Sequence, residues 1–348
     1  MDGADDIAGI DPAVVVRWLV DLGVEHAAPL RCRRIGLGQS NLTYRITDAV
    51  GRAWVLRRPP RGRPGASAHG VVGEARIISA LTDTGVAVPR IIGVTTRHGE
   101  PLVLMEFVEG LVVDRMNAAE ALTHRQRHGI ALSMPRTLAK IAAVDLTRVG
   151  LQNLASKQPY VHHQLAWWSA QWERSKRREV PLLDALTRRL VAAAPEQHEA
   201  GLVHGDFHFP NVIFSRTTGE VAAVVDWELS DGGDPVADMG ALLTYWPEPG
   251  ETMGGDFEPS TLAGFPTRAE IARVYLDETG RDPAVLQYWH AFGLWKLAII
   301  GEGVLGGAIN DPWNMAGQAT RTFDPIDVLV EKAWSIADSI GVDTYADC

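Results

Sequence analysis

The chain has 348 residues, 46% of them apolar, and 43 acidic against 33 basic side chains, for a formal net charge of −10. That length supports two substantial domains or one two-lobed domain, and the apolar content excludes extensive disorder. The acidic balance excludes the basic face a nucleic-acid binder needs, and the two cysteines, Cys32 and Cys348, form no disulfide or metal framework, as suits a reducing cytoplasm.

In chain order, the opening MDGADDIAGIDP is acidic where a secretory signal would be basic and then apolar, so a cytoplasmic location is expected. Asp11 to Leu22 has helical spacing, with Val14, Val15, Trp18, Leu19 and Leu22 on one face. Three strands follow, around Arg34-Ile35, at Leu42–Thr47 and at Ala53–Arg57, with Asp48–Arg52 as the turn between the last two. A helix over Gly73–Thr84, a strand over Val86–Val94 and a strand over Pro101–Val108 complete a small antiparallel sheet with one inserted helix.

Beyond Val113 the pattern is helical through Ala118–Asp145, Tyr160–Arg178 and Val180–Ala194. A β-rich island at Leu202–Trp227 interrupts it, and helices resume at Pro235–Tyr245, Arg268–Glu278, Asp282–Val304 and Pro325–Ile340. The apolar run from Ala291 to Ile309 contains Lys296 and Glu302 and fits a buried helix, not a membrane span. The expected fold is α+β and protein-kinase-like: a nucleotide-binding β lobe over residues 1–106 and a larger helical lobe over 107–348, carrying the catalytic loop with metal and acceptor binding.

The chemistry concentrates in His204-Gly205-Asp206-Phe207-His208-Phe209-Pro210-Asn211, followed after a hairpin by Asp226 in VVDWE. Phosphoryl transfer asks a protein for a carboxylate that orients or deprotonates the attacking hydroxyl, and for oxygen ligands that hold Mg²⁺ on the phosphates. Asp206, on a loop after an apolar strand, suits the first task; Asn211 and Asp226 offer a neutral and a charged oxygen for the second.

This pattern resembles the aminoglycoside phosphotransferase and choline kinase group, whose catalytic loop reads H-G-D-x-x-x-x-N with a later aspartate. The resemblance implies Asp206 as catalytic base, Asn211 and Asp226 as Mg²⁺ ligands, and His204 as a brace for the loop. His208 is open between touching the γ-phosphate or relaying a proton and packing within the loop; Glu228 is open between supporting the metal and plain exposure. Asp234 and Asp238 are read as a helix cap and a loop anchor.

The glycines of Gly36-Leu37-Gly38-Gln39-Ser40-Asn41 lie between strands, as in a phosphate-covering loop, so Gly36, Gly38 and Ser40 are candidate phosphate contacts. Strand alternation puts Val55 and Arg57 on one face, Val55 as adenine roof and Arg57 as phosphate cation, with Glu74 on the next helix as its partner. Related drug-modifying enzymes carry lysine there; this chain has no lysine before Lys140, and VLRRPP resembles the subgroup fused to acyl-CoA dehydrogenases. The backbone of Glu106 and Val108 is expected against adenine, and Trp246, Trp289 and Trp295 are read as core. ATP, or GTP in its place, is the expected donor with Mg²⁺, and a small-molecule alcohol the acceptor, with no nucleic-acid or membrane partner. The alternative is a kinase-like nucleotide-binding protein with little or no transfer; oligomeric state has no signal in the sequence.

Overall fold

The computed structural model describes residues 12–36, 41–60, 66–97, 100–155, 158–197, 200–251, 258–310 and 324–340. Two compact units divide the chain: Met1–Gly110 together with Ala222–Leu229, and Leu111–Val221 together with Ser230–Cys348. The first unit is therefore discontinuous.

In that first unit, helix α1 (Pro12–Asp21) precedes strands β1 (Arg31–Ile35), β2 (Leu42–Thr47) and β3 (Ala53–Arg58). Helix α2 (Ala66–Leu81) then leads to β4 (Ile91–Arg97) and β5 (Glu100–Glu106). The five strands form an antiparallel sheet in the order β1-β2-β3-β5-β4. The β2–β3 turn is organised by Asp48, whose Oδ1 accepts from the backbone N–H groups of Val50 and Arg52 at 3.0 and 2.8 Å.

Pleat alternation divides the sheet into two apolar faces. Tyr44, Ile46, Trp54, Leu56, Leu102 and Leu104 pack with Val15, Trp18 and Leu19 of α1. Val103 and Met105, with half-buried Val55, meet Val71 and Ala75 of α2.

Two boundaries differ most from expectation, while the ends of α2, β4 and β5 shift by two or three residues. Helix α2 begins at Ala66, not Gly73: Gly70 and Gly73 dilute its helical signal, but packing of Val71 and Ala75 on the sheet holds the turns they occupy. Strand β4 begins at Ile91, not Val86, because Pro89 has no N–H for the ladder and constrains Val88 before it.

The second unit opens with β6 (Leu111–Val112), α3 (Met116–Glu120), α4 (His124–Ala142), α5 (Tyr160–Ser175) and α6 (Pro181–Ala192). The helix expected over Ala118–Asp145 is two helices. Thr123 breaks it with a capping box, its Oγ1 accepting from Gln126 N–H while Gln126 Oε1 accepts from Thr123 N–H. Strands β7 (Gly201–Val203), β8 (Val212–Phe214) and β10 (Asp231–Gly233) belong to this unit's part of the island, while β9 (Val221–Val224) falls, but for Val221, in the first unit. Pairing is antiparallel for β7 with β10 and for β6 with β8.

Helices α7 (Val236–Thr244), α8 (Arg268–Thr279), α9 (Pro283–Asn310) and α10 (Asp324–Asp338) complete the unit. Helix α9 is apolar on nearly every side, which marks a helix enclosed by others. Leu286, Trp289, Phe292, Trp295 and Ile299 along it are buried. Trp246, Trp289 and Trp295 are core residues, each indole N–H donating inside the unit: to Pro266 O, Asp234 Oδ2 and Thr187 Oγ1. Among the described residues no helix is long and apolar enough to cross a membrane.

Helices α7 and α9 approach closely at Gly240, where a Cβ would fall 2.5 Å from the Trp289 carbonyl carbon. Backbone cannot yield as a side-chain tip can, so Gly240→Ala is expected to cost about 1–3 kcal/mol of stability. Urea unfolding of wild type and variant measures the difference.

Candidate active site

The catalytic-loop candidates lie between β7 and β8. The two strands pull the ends of the loop into the core, and its residues alternate in direction: Phe207 and Phe209 are buried, while Asp206 and His208 are half-exposed. Phe209 stacks on Trp246 with ring centroids 5.1 Å apart, and the His204 ring meets Phe207 edge-on at 5.9 Å. These apolar anchors hold the polar side chains outward.

Asp238 holds the loop backbone from α7. Its buried carboxylate accepts the N–H of His204 at 2.6 Å and of Gly205 at 2.9 Å. Gly205 has a φ of 86°, a region open to glycine, and this turns both N–H groups toward one carboxylate. The buried His204 accepts the N–H of Asp206 on Nδ1 at 3.2 Å, while Ser230 donates to the His204 carbonyl. Asp234 caps the start of α7 by accepting from Val236 N–H at 3.0 Å.

Asp206 and Asn211 are brought together. Asn211 Nδ2 donates to both the backbone oxygen and Oδ2 of Asp206 at 2.9 Å, and His208 Nε2 lies 3.4 Å from that same Oδ2. Burial pushes the Asp206 carboxyl upward, but the hydrogen bond and charge of His208, the charge of His204 and the Asn211 amide outweigh it and hold the group below its ordinary value. It is a carboxylate at neutral pH, able to accept a proton. His208 also tilts against Tyr245, centroids 5.2 Å apart.

Arg57 organises the first unit's polar cluster. Its Nε lies 3.0 Å from Glu74 Oε2, and its Nη2 bonds Asp226 Oδ1 and lies 3.6 Å from Glu228 Oε2. Glu74 also accepts the Trp227 N–H at 3.3 Å, and Asn41 donates to Glu228. Burial raises the Glu74 carboxyl to about 7, with Arg57 pulling it down and Asp226 and Glu228 pushing it up. Asp226 has a φ of 67°, a strained left-handed conformation for a non-glycine residue, worth about 1–3 kcal/mol and held here by this cluster. Arg58 points to the opposite sheet face, buried, its guanidinium 6.0 Å from the Tyr44 ring centroid.

Val55 shares the Arg57 face, Gly36 follows β1 with a φ of 74°, Glu106 closes β5, and half-buried Val108 lies in the segment after it. Gly38 and Ser40 lie outside the described residues. Asn211 falls in the second unit and Asp226 in the first.

Each unit carries oxygen donors of the kind a hard divalent ion takes. Three carboxylates share one guanidinium in the first unit, leaving surplus negative charge. Asn211 commits its amide nitrogen to Asp206, and its Oδ1 has no hydrogen-bond partner among the described residues. No group of three His, Cys, Asp or Glu side chains among the described residues is disposed to hold a metal by itself.

A family model described as the phosphotransferase enzyme family matches residues 31–289, spanning both the Arg57 cluster and the Asp206 loop. The chain belongs to that family. It is 31% identical over 335 residues to acyl-CoA dehydrogenase family member 10 of Mus musculus, covering 94% of this chain and 31% of that protein. The chain thus spans about a third of that relative's length. A putative aminoglycoside phosphotransferase from Ralstonia eutropha has the same fold, with TM-score 0.77 and 24% identity over 94% of this chain and 98% of that one. The streptomycin–ATP ternary complex of APH(2″)-IIa aligns with TM-score 0.56 and 16% identity over 84% and 90%. The kinase-like α+β fold expected from the sequence is the fold of this family member.

Sequence reasoning left Tyr245, Asn41 and Lys296 without a role. Lys296 had a legible signal, a lone cation in an apolar run, used only to exclude a membrane span.

Two outcomes are expected. Arg57→Met leaves Glu74, 2% exposed, without its counter-charge and is expected to cost about 3–5 kcal/mol in chemical denaturation. Burial raises the Asp238 carboxyl to about 6, above its unfolded value near 3.8, so its favourable contribution is complete below pH 4 and lost as pH rises through 6. Relative to Asp238→Asn, wild type should lose about 2 kcal/mol between pH 4 and pH 7 in parallel urea titrations; a flat difference would contradict the burial of this charge.

Proposed function

We propose that this protein transfers the γ-phosphoryl group of ATP, or of GTP, to a hydroxyl of a small molecule. The observation that carries this reading is the Asp206 carboxylate, ionised, half-exposed and fixed by Asn211 and His208 on a loop anchored by Asp238. The family assignment and the ATP of the APH(2″)-IIa ternary complex, a fold neighbour, support the choice of reaction and donor.

In this reading Asp206 accepts the acceptor's hydroxyl proton as the oxygen bonds the γ-phosphorus and the bond to the β-phosphate oxygen breaks. The nucleoside diphosphate leaves, and the proton passes from Asp206 to solvent. Asn211 and Asp226 would hold Mg²⁺, which when bound offsets phosphate charge. Arg57 is the phosphate cation, oriented by Glu74; its fork grips two oxygens where a lysine offers one point charge. His208 keeps the carboxylate ionised and directed, His204 braces the loop, and Val55, the glycine loop of Gly36, Gly38 and Ser40, and the backbone of Glu106 and Val108 receive the nucleotide.

One observation favours a second reading, a nucleotide-binding protein without transfer: Arg57 bonds Asp226, the proposed charged metal ligand. One pair of measurements separates the two. Asp206→Ala should lower acceptor-dependent NTP turnover about 10²–10⁴-fold, while MgATP still raises the melting temperature of the variant. Undiminished product formation would remove Asp206 from the mechanism; stabilisation by MgATP with no turnover on any alcohol in wild type would establish the binding-only reading.

A further inference from the structure

Lys296 sits on α9 in the unit that carries Asp206, and its surroundings differ from those of Lys176 and Lys332 in the same unit. Lys176 and Lys332 rest on carboxylates, at 3.0 Å from Glu179 and 2.7 Å from Glu251. Lys296 has no carboxylate in ion-pair range among the described residues; its ammonium lies 5.1 Å from the ring centroid of Trp168, on α5. The side chain is half-buried, and burial lowers its basicity, while the charges of Asp206 and Asp238 work the other way. Tyr245 also feels the charge of Asp206, and its hydroxyl has no partner among the described residues.

A partly desolvated ammonium that meets a ring face but no carboxylate keeps hydrogen-bond donors for another acceptor. The groups within its electrostatic reach are the proposed base and the carboxylate that anchors the base's loop. One turn before Lys296 on α9, Gly293 lies against Thr244 at the end of α7, the residue before Tyr245, whose ring tilts against His208. Electrostatic complementarity then selects against a cationic acceptor, which would meet like charge, and for an anionic one, which would replace lost solvation with a charge-assisted hydrogen bond.

We infer that Lys296 is a specificity-determining residue that binds an anionic group, a carboxylate or a phosphate monoester, on the alcohol that is phosphorylated. This rests on the phosphotransfer reading above and narrows its acceptor to hydroxy acids or phosphorylated alcohols. The Trp168 ring contacts the lysine, and Tyr245, tilted against His208, offers its hydroxyl to the same ligand.

The test uses the full chain and three matched sets of probes: straight-chain hydroxyalkanoates with the hydroxyl at different carbons, the corresponding neutral diols, and the corresponding amino alcohols. Glycerol phosphate serves as the phosphate arm. Binding is read by calorimetry without nucleotide, and transfer by acceptor-dependent NDP release with MgATP. Wild type should prefer hydroxyalkanoates or glycerol phosphate, and which of these wins identifies the anion. Lys296→Met should weaken that class about 10- to 100-fold in Kd and KM, with a much smaller change in kcat and in neutral diols. Lys296→Glu should shift the preference toward amino alcohols, with a retained MgATP thermal shift showing that both variants are folded. The inference is overturned if anionic probes bind wild type no better than diols, or if Lys296→Met depresses every acceptor equally through kcat. Lys296-dependent anion binding without transfer would uphold the site and overturn the transfer reading instead.

Discussion

The buried carboxylate of Asp238 fixes the catalytic loop by taking two successive backbone N–H groups, those of His204 and Gly205. Burying an ionised group is unfavourable, and the two donors offset part of that cost because hydrogen bonds to a charge are stronger than neutral ones. With those donors held, the next peptide is turned so that Asp206 N–H reaches the His204 ring, and the Asp206 side chain falls beside Asn211. Phe207 and Phe209 secure the same backbone by apolar packing. Polar and apolar constraints alternate residue by residue along the loop.

The first unit is organised differently. One guanidinium serves three carboxylates, and the cluster is held by α2 on one side and by residues around Asp226 on the other. Lysine's single point charge would not span this set; the planar fork of Arg57 directs Nε and Nη2 to different partners at once. The absence of lysine from the first third of the sequence thus coincides with a site whose geometry uses arginine.

Local signals carried much of the fold. The β2–β3 hairpin was legible because Asp48 and Gly51 have strong turn chemistry and the flanking strands alternate. Helix α8 was legible as a helix over Arg268–Glu278, and the structure starts it with a Thr267–Glu270 capping box. Features that local pattern misplaced depend on tertiary packing: α2 persists through Gly70 and Gly73 because the sheet needs Val71 and Ala75. In the site, the spacing from His204 to Asn211 and Asp226 pointed to the chemistry, and strand parity placed Arg57 and Arg58 on opposite faces. The pairing of Arg57 with Asp226 was not legible, because nothing at residue 57 encodes what residue 226 will meet. Lys296 was hidden for a similar reason, since an isolated lysine in an apolar helix reads as an exception until its surroundings are known.

The membership of Ala222–Leu229 in the first unit has a consequence for biosynthesis. The sheet and α2 are complete when the ribosome has passed Gly110, yet the buried Glu74 still lacks the Trp227 N–H, and Arg57 lacks Asp226 and Glu228. The nascent unit must wait with a half-satisfied ionic core while over a hundred further residues are made, and a chain stopped at its apparent end would never acquire the missing donors and acids.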